Sequence, residues 1–158
     1  VDEKDILKPI VEFVINEVCS DRQLLWAVHP RTRKMLEKYD LFGHLIKTGN
    51  LILLEPIGYL EMLKLNTTAS VILTDSGGLQ EECTVLGTPC LTLRWNTERP
   101  VTLINNGGVS VLTGNSVESI RKEYYAALDR GRVPVRPELW DGKTAVRCLD
   151  EILMFKDL

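Results

Sequence analysis

A chain of 158 residues with 44% apolar and 26% charged side chains has the size and composition of one globular domain, long enough to bury roughly two-thirds of its unfolded surface. Nineteen basic against 22 acidic side chains leave a formal charge of −3, which gives no global attraction to nucleic acid or to an anionic membrane. No apolar run reaches ~18 residues and no charged-then-apolar leader is read, so the expectation is a cytoplasmic protein that neither spans a membrane nor is secreted.

The first pattern runs through residues 3–19. Ile6, Ile10, Phe13, Val14 and Val18 recur at three- and four-residue spacing, predicting an amphipathic helix capped by Asp2 and kinked or delayed by Pro9. Residues 24–28 are an apolar run of strand length, closed by His29-Pro30 and followed by a polar helical stretch through Met35 and Leu36. Residues 51–54 predict a second strand, ended by Glu55-Pro56, with a short helix over 59–65. Residues 71–74 predict a third strand that enters Asp75-Ser76-Gly77-Gly78. A helix then covers 79–86 and stops at Gly87. Strands over 89–93 and 109–112 follow, the latter entered from an Asn105-Asn106-Gly107-Gly108 turn. Ser116 caps a helix bearing Val117, Ile120, Tyr124 and Leu128. Pro134 and Pro137 mark a connector, and Ala145, Leu149 and Ile152 predict the inner face of a closing helix.

Five nearly all-apolar strands alternating with helices predict a doubly wound α/β fold, with a parallel sheet covered on both faces and right-handed crossovers. Cys19, Cys83, Cys90 and Cys148 form no CxxC pair and lie near neither His29 nor His44 in sequence, so no metal-ligand spacing is present. Each has apolar neighbours, which predicts buried free thiols and a reducing compartment.

In a sheet of this kind ligands bind outside the carboxyl ends of the strands. The third strand exit opens a helix with Gly77 and Gly78, whose backbone N–H groups are uncovered and stand at the positive end of the helix dipole. Ser76 adds a hydroxyl. An anion cradle and a plain capped helix start both fit this motif, which is neither a P-loop nor a GxGxxG fingerprint. Glu81 and Glu82 follow; a carboxylate there either accepts both hydroxyls of a ribose diol or merely compensates the dipole. The fourth exit, Arg94-Trp95-Asn96-Thr97-Glu98-Arg99-Pro100, offers guanidinium forks suited to phosphate, and equally suits a solvated loop with an Arg99–Glu98 pair.

Taken in order, Thr74-Asp75-Ser76-Gly77-Gly78-Leu79-Gln80-Glu81-Glu82, Leu86-Gly87-Thr88-Pro89 and Arg94 to Pro100 resemble the non-hydrolysing UDP-N-acetylglucosamine 2-epimerases. The resemblance runs from Val28-His29-Pro30 to Asp141-Gly142-Lys143-Thr144-Ala145. It implies a Rossmann-like domain, the C-terminal half of a two-domain GT-B-like enzyme, with the catalytic N-terminal domain lying outside this chain. By the resemblance Ser76, Gly77 and Gly78 hold the diphosphate of UDP or UDP-GlcNAc and Glu82 holds the ribose hydroxyls. Arg99 lies by the phosphates or the domain cleft. Pro56 and Met62 border uracil, a thioether standing where an aromatic ring is common.

His29-Pro30 resembles a segment that in bacterial members helps bind a second substrate molecule as activator, although Arg31-Thr32 replaces the usual asparagine-proline and Val101 replaces a common glutamate. The implied reaction interconverts UDP-GlcNAc and UDP-ManNAc by eliminating and re-adding UDP, with no cofactor, in the service of cell-envelope polysaccharides. No catalytic residue is assigned in this chain, which is expected to be inactive alone and to homodimerise when full length. The alternatives are half of a UDP-sugar-dependent GT-B glycosyltransferase and a standalone nucleotide-binding module.

Overall fold

The computed structural model describes residues 2–155. Helix α1 (Lys4–Phe13) buries Leu7, Ile10, Val11 and Phe13. Pro9 falls inside the helix without delaying it, and the ladder widens to a π-turn over Val14–Val18 before a last short turn, α2 (Cys19–Asp21). The cap residue is Glu3 rather than Asp2. Asp2 instead receives both Nε and Nη2 of Arg31, at 3.0 and 2.6 Å, a geometry that spends its carboxylate on a partner 29 residues away.

The expected strands form as β1 (Leu24–Ala27), β2 (Leu51–Leu54), β3 (Ile72–Thr74), β4 (Cys90–Thr92) and β5 (Ser110–Leu112). All pairs are parallel, as all-apolar strands joined by helical crossovers require. They lie in two groups, β1–β2 and β3–β4–β5, with no ladder between β1 and β3. Helix α3 (Pro30–Lys38) starts from His29, whose Nδ1 accepts the Arg31 amide at 3.2 Å. The short α4 (Phe42–Ile46) has too few residues to show a period in the sequence; it buries Leu45. Helix α5 (Tyr59–Thr68) follows β2, and α6 (Gly77–Leu86) follows β3. Gly87 ends α6 at φ 77°, where a side chain would also strike the Pro134 backbone. Ser116 caps α7 (Val117–Arg130) by accepting the Ser119 amide, as its position predicts.

One core joins α1, the π-turn and α7 (Ile10, Phe13, Val14, Ile120, Tyr124) over strand residues of both groups. Phe13 and Tyr124 meet edge to face at 5.6 Å. A second core places Leu7 and Val11 with Val28, Leu36 and Leu45.

Two expectations need correction. The closing helix forms as α8 (Thr144–Met154), but it buries no residue: Leu149 and Ile152 are 55% and 59% exposed, and Ala145 is exposed too. Its apolar stripe therefore faces outward rather than into this domain. Cys148, on the same helix, is exposed, whereas Cys19, Cys83 and Cys90 are buried free thiols. No described helix is long and apolar enough to cross a membrane.

Candidate functional site

The start of α6 is built by short-range bonds. Ser76 sits in extended conformation (φ −83°, ψ 126°), donates its amide to Thr74 Oγ1 at 3.1 Å, and accepts the Leu79 amide on Oγ at 3.4 Å. Its carbonyl takes the Gln80 amide at 3.3 Å. The amides of Gly77 and Gly78 find no acceptor among the described residues, so two donors are left at the positive end of a ten-residue helix. Such a start can bind an anion through backbone alone.

The loop after β4 is drawn onto this helix start by Gln80, a residue to which the sequence reading gave no role. Gln80 is fully buried. Its Oε1 accepts from Thr97 Oγ1 at 2.8 Å and from Thr102 Oγ1 at 3.4 Å, while its Nε2 donates to the Ser76 carbonyl at 3.4 Å. Thr97 Oγ1 in turn accepts the Arg99 amide at 3.0 Å. The far end of the loop is pinned by the Trp95 ring, which covers Gly114 so closely that a methyl group there would lie 2.6 Å from it. The available signal was the helix face that Gln80 shares with Gly77, Cys83 and Thr84, small residues that let a helix pack closely: a glutamine buried among them needs partners.

The loop's charges gather at the glycines. A methyl group on Gly77 would stand 3.0 Å from Glu98 Oε1 and 3.8 Å from Arg99 Cγ, so Glu98 and Arg99 both border the helix start. Arg94 Nη1 lies 3.1 Å from Glu98 Oε2. Arg99 Nε lies 2.9 Å from Glu81 Oε1, an ion pair by distance whose N–H direction misses the carboxylate. The local alternative, an Arg99–Glu98 side-chain pair, is not what forms; Arg99 Nη1 reaches only the Glu98 carbonyl, at 3.5 Å. A bond from its own backbone amide, with Arg94 and Arg99 nearby, holds the Glu98 carboxyl below its ordinary range.

Glu82 behaves differently from its neighbours. Its Oε2 is buried with no hydrogen-bond partner, and desolvation, then the adjacent Glu81 charge, push its pKa up. It lines a cleft of about 550 Å³ with Tyr59, Leu63, Glu81, Val85, Leu86 and Trp140. The side chain borders the cleft while this oxygen is turned beneath the surface, an unsatisfied acceptor that a rotation of the carboxylate would bring to a ligand hydroxyl.

The structure thus brings Ser76, Gly77, Gly78 and Arg99 together at one helix start, with Glu82 further along the same helix facing the cleft between α5 and α6. Met62 is half-buried on α5 but does not line that cleft, and Pro56 is exposed just beyond β2. Glu55 is held by Arg33. His29 is exposed after β1, with Nδ1 committed to capping α3.

Comparison with known proteins matches residues 1–153 to the family model for UDP-N-acetylglucosamine 2-epimerase. The UDP-N-acetylglucosamine 2-epimerase of Methanocaldococcus jannaschii is 44% identical over 149 residues, which are 93% of this chain and 40% of that protein. The Escherichia coli K12 enzyme of the same name is 34% identical over 143 residues, 84% of this chain and 35% of that protein. The solved M. jannaschii structure superposes with a TM-score of 0.81 at 40% identity, covering 95% of this chain and 42% of that one. The enzyme from Neisseria meningitidis, solved with UDP-GlcNAc bound, gives 0.74 at 28% identity over 96% of this chain and 40% of its own. The chain therefore spans about two-fifths of the length of these relatives. It belongs to the UDP-N-acetylglucosamine 2-epimerase family.

Proposed function

We propose that this member of the UDP-N-acetylglucosamine 2-epimerase family is the lobe that holds the nucleotide of UDP-GlcNAc while the rest of the enzyme works on the sugar. The observation that carries the reading is the pairing of two free glycine amides at the start of α6 with an unpartnered, buried Glu82 oxygen on the same helix. The first fits a diphosphate and the second a ribose diol. M. jannaschii and N. meningitidis relatives solved with UDP or UDP-GlcNAc support the ligand class.

In the proposed reaction UDP is eliminated from the sugar. The C1–O bond breaks as a base takes the C2 proton, and the electron pair from C1–O goes to the β-phosphate oxygen. Charge thus grows on the diphosphate in the transition state, where the Gly77 and Gly78 amides and the helix dipole stabilise it. Arg99 can add its guanidinium once it turns from Glu81. The same groups keep UDP in place for re-addition, while C2 regains a proton on the opposite face. Base and acid come from the second lobe, across a cleft that α8 helps to face, in a homodimer. The three buried free thiols accord with a cytoplasmic setting.

Glu82→Gln tests the ligand assignment. It should weaken UDP roughly tenfold, the lower end of what losing a charged acceptor costs, and leave inorganic pyrophosphate nearly unchanged. Calorimetry with both ligands separates the readings: equal weakening, or none, would make Glu82 only a helix-end acid.

A further inference from the structure

We propose that Trp95 is a platform on which the sugar ring of the nucleotide-sugar stacks, and so determines specificity for the sugar; this rests on the nucleotide reading above. Trp95 stands in the loop after β4 and is 71% exposed, an unusual place for the largest aromatic side chain. Its ring is nevertheless held. A methyl group on Gly114 would lie 2.6 Å from each of three successive atoms of the six-membered ring, Cε3, Cζ3 and Cη2. A point equally far from three neighbouring ring atoms lies over the ring rather than beside its rim. Gly114, buried and at φ 61°, therefore backs one face of the indole, and only a glycine leaves room for it there. The exposure of Trp95 belongs to the opposite face.

The loop that carries the ring is fixed at both ends. The Gly114 amide donates to the Arg94 carbonyl at 3.1 Å, next to Trp95, and Thr97 donates to the buried Gln80 at 2.8 Å. An aromatic face held in this way loses little freedom when a ligand covers it.

The sheet sets the platform in line with the helix start. Thr74 is in register with Thr92, and Thr92 with Leu112. Ser76, Arg94 and Gly114 each lie two residues further on, so helix start, loop and platform form one row beyond the carboxyl ends of the strands. Strands β3 and β5 are separated only by β4, which makes the row roughly 10 Å long. The Glu82 cleft lies on one side of the helix start, between α5 and α6. Glu98 and Arg99 border it from the other, and Arg94, beside Trp95, pairs with Glu98 at 3.1 Å. With ribose on Glu82 and diphosphate on Gly77 and Gly78, the group esterified to the second phosphate points toward Trp95. That group is a pyranose. Its axial C–H bonds form an apolar, weakly positive face that matches the negative face of an indole.

Titration of residues 1–158 with UDP and with UDP-GlcNAc, by calorimetry and NMR, tests this in the parent, Trp95→Leu and Trp95→Phe. In the parent, the ring current should shift pyranose protons of UDP-GlcNAc upfield on binding. Trp95→Leu should abolish that shift and weaken UDP-GlcNAc roughly fivefold, as expected for one apolar sugar face left in water, with UDP unchanged. Trp95→Phe should keep most of the shift and of the affinity. Equal weakening of both ligands by Trp95→Leu would overturn the proposal, leaving the ring only a cover for Gly114. Unmoved pyranose protons in the parent, a result that needs no variant, would overturn it as well. If the parent binds UDP and either of these is found, the nucleotide reading stands and the platform alone falls. A parent that binds neither ligand would remove both.

Discussion

The carboxylate of Glu98 lies against the same helix start that is proposed to take a diphosphate, and it also engages Arg94. An incoming anion must work against that charge, and displacing it frees a guanidinium. Glu98→Gln should therefore tighten pyrophosphate roughly threefold to tenfold at low salt, with the gain shrinking as salt screens it. Weaker binding on calorimetric titration would mean instead that Glu98 serves to position Arg94. Glu82 makes the converse prediction for stability. Burial raises its folded pKa above the unfolded value, so the stability it contributes is present below the unfolded pKa and lost as pH rises through the folded one. Glu82→Gln should melt higher than the parent at pH 7 and converge with it below pH ~4. A lower melting temperature at pH 7 would show that the charge stabilises α6 through the dipole. Ser76, Gly77 and Gly78 were legible in the sequence because capping is local. Gln80 was not, since its partners Thr97 and Thr102 lie 17 and 22 residues away and declare themselves only when the loop folds back.

Among the elements, α5, α6 and the connector after α7 are held together by one side chain. Arg132 donates Nη1 to Leu86 O and Thr88 Oγ1, at 2.9 and 2.7 Å, and Nη2 to Asn66 O and Ala69 O, at 2.9 and 2.8 Å. Those four acceptors close the C-terminal ends of both helices that wall the Glu82 cleft. Arg132→Met should cost about 1–2 kcal/mol by urea denaturation, moderated because the guanidinium is partly solvated, and Arg132→Lys should recover less than half, since an ammonium cannot fork. An unchanged midpoint for Arg132→Met would show that the helix ends are closed without it. The five strands and most helices were readable from period and punctuation, because each strand is a short apolar run between turn residues. The division of the strands into β1–β2 and β3–β4–β5 was not, because a strand's own sequence does not say which neighbour it has. Nor was the outward stripe of α8, whose period is the same whether the covering surface belongs to this domain or to another.

At the scale of the molecule, the chain spans about two-fifths of the length of its relatives, with a charged helix start at one end of its β3–β4–β5 group and an apolar stripe on α8. An isolated lobe should still recognise the nucleotide, weakly, because the proposed contacts to diphosphate and ribose are made within α6 and its adjoining loop. The acid and base groups that the proposal places outside this chain are not needed for that step. The central claim is tested most directly by titrating UDP into isotope-labelled residues 1–158 and following backbone amide shifts. Binding should saturate and the shifts should centre on residues 76–82, with a second group over 55–62 and smaller changes at 97–99. Shifts spread evenly over the surface, or none at millimolar UDP, would contradict it.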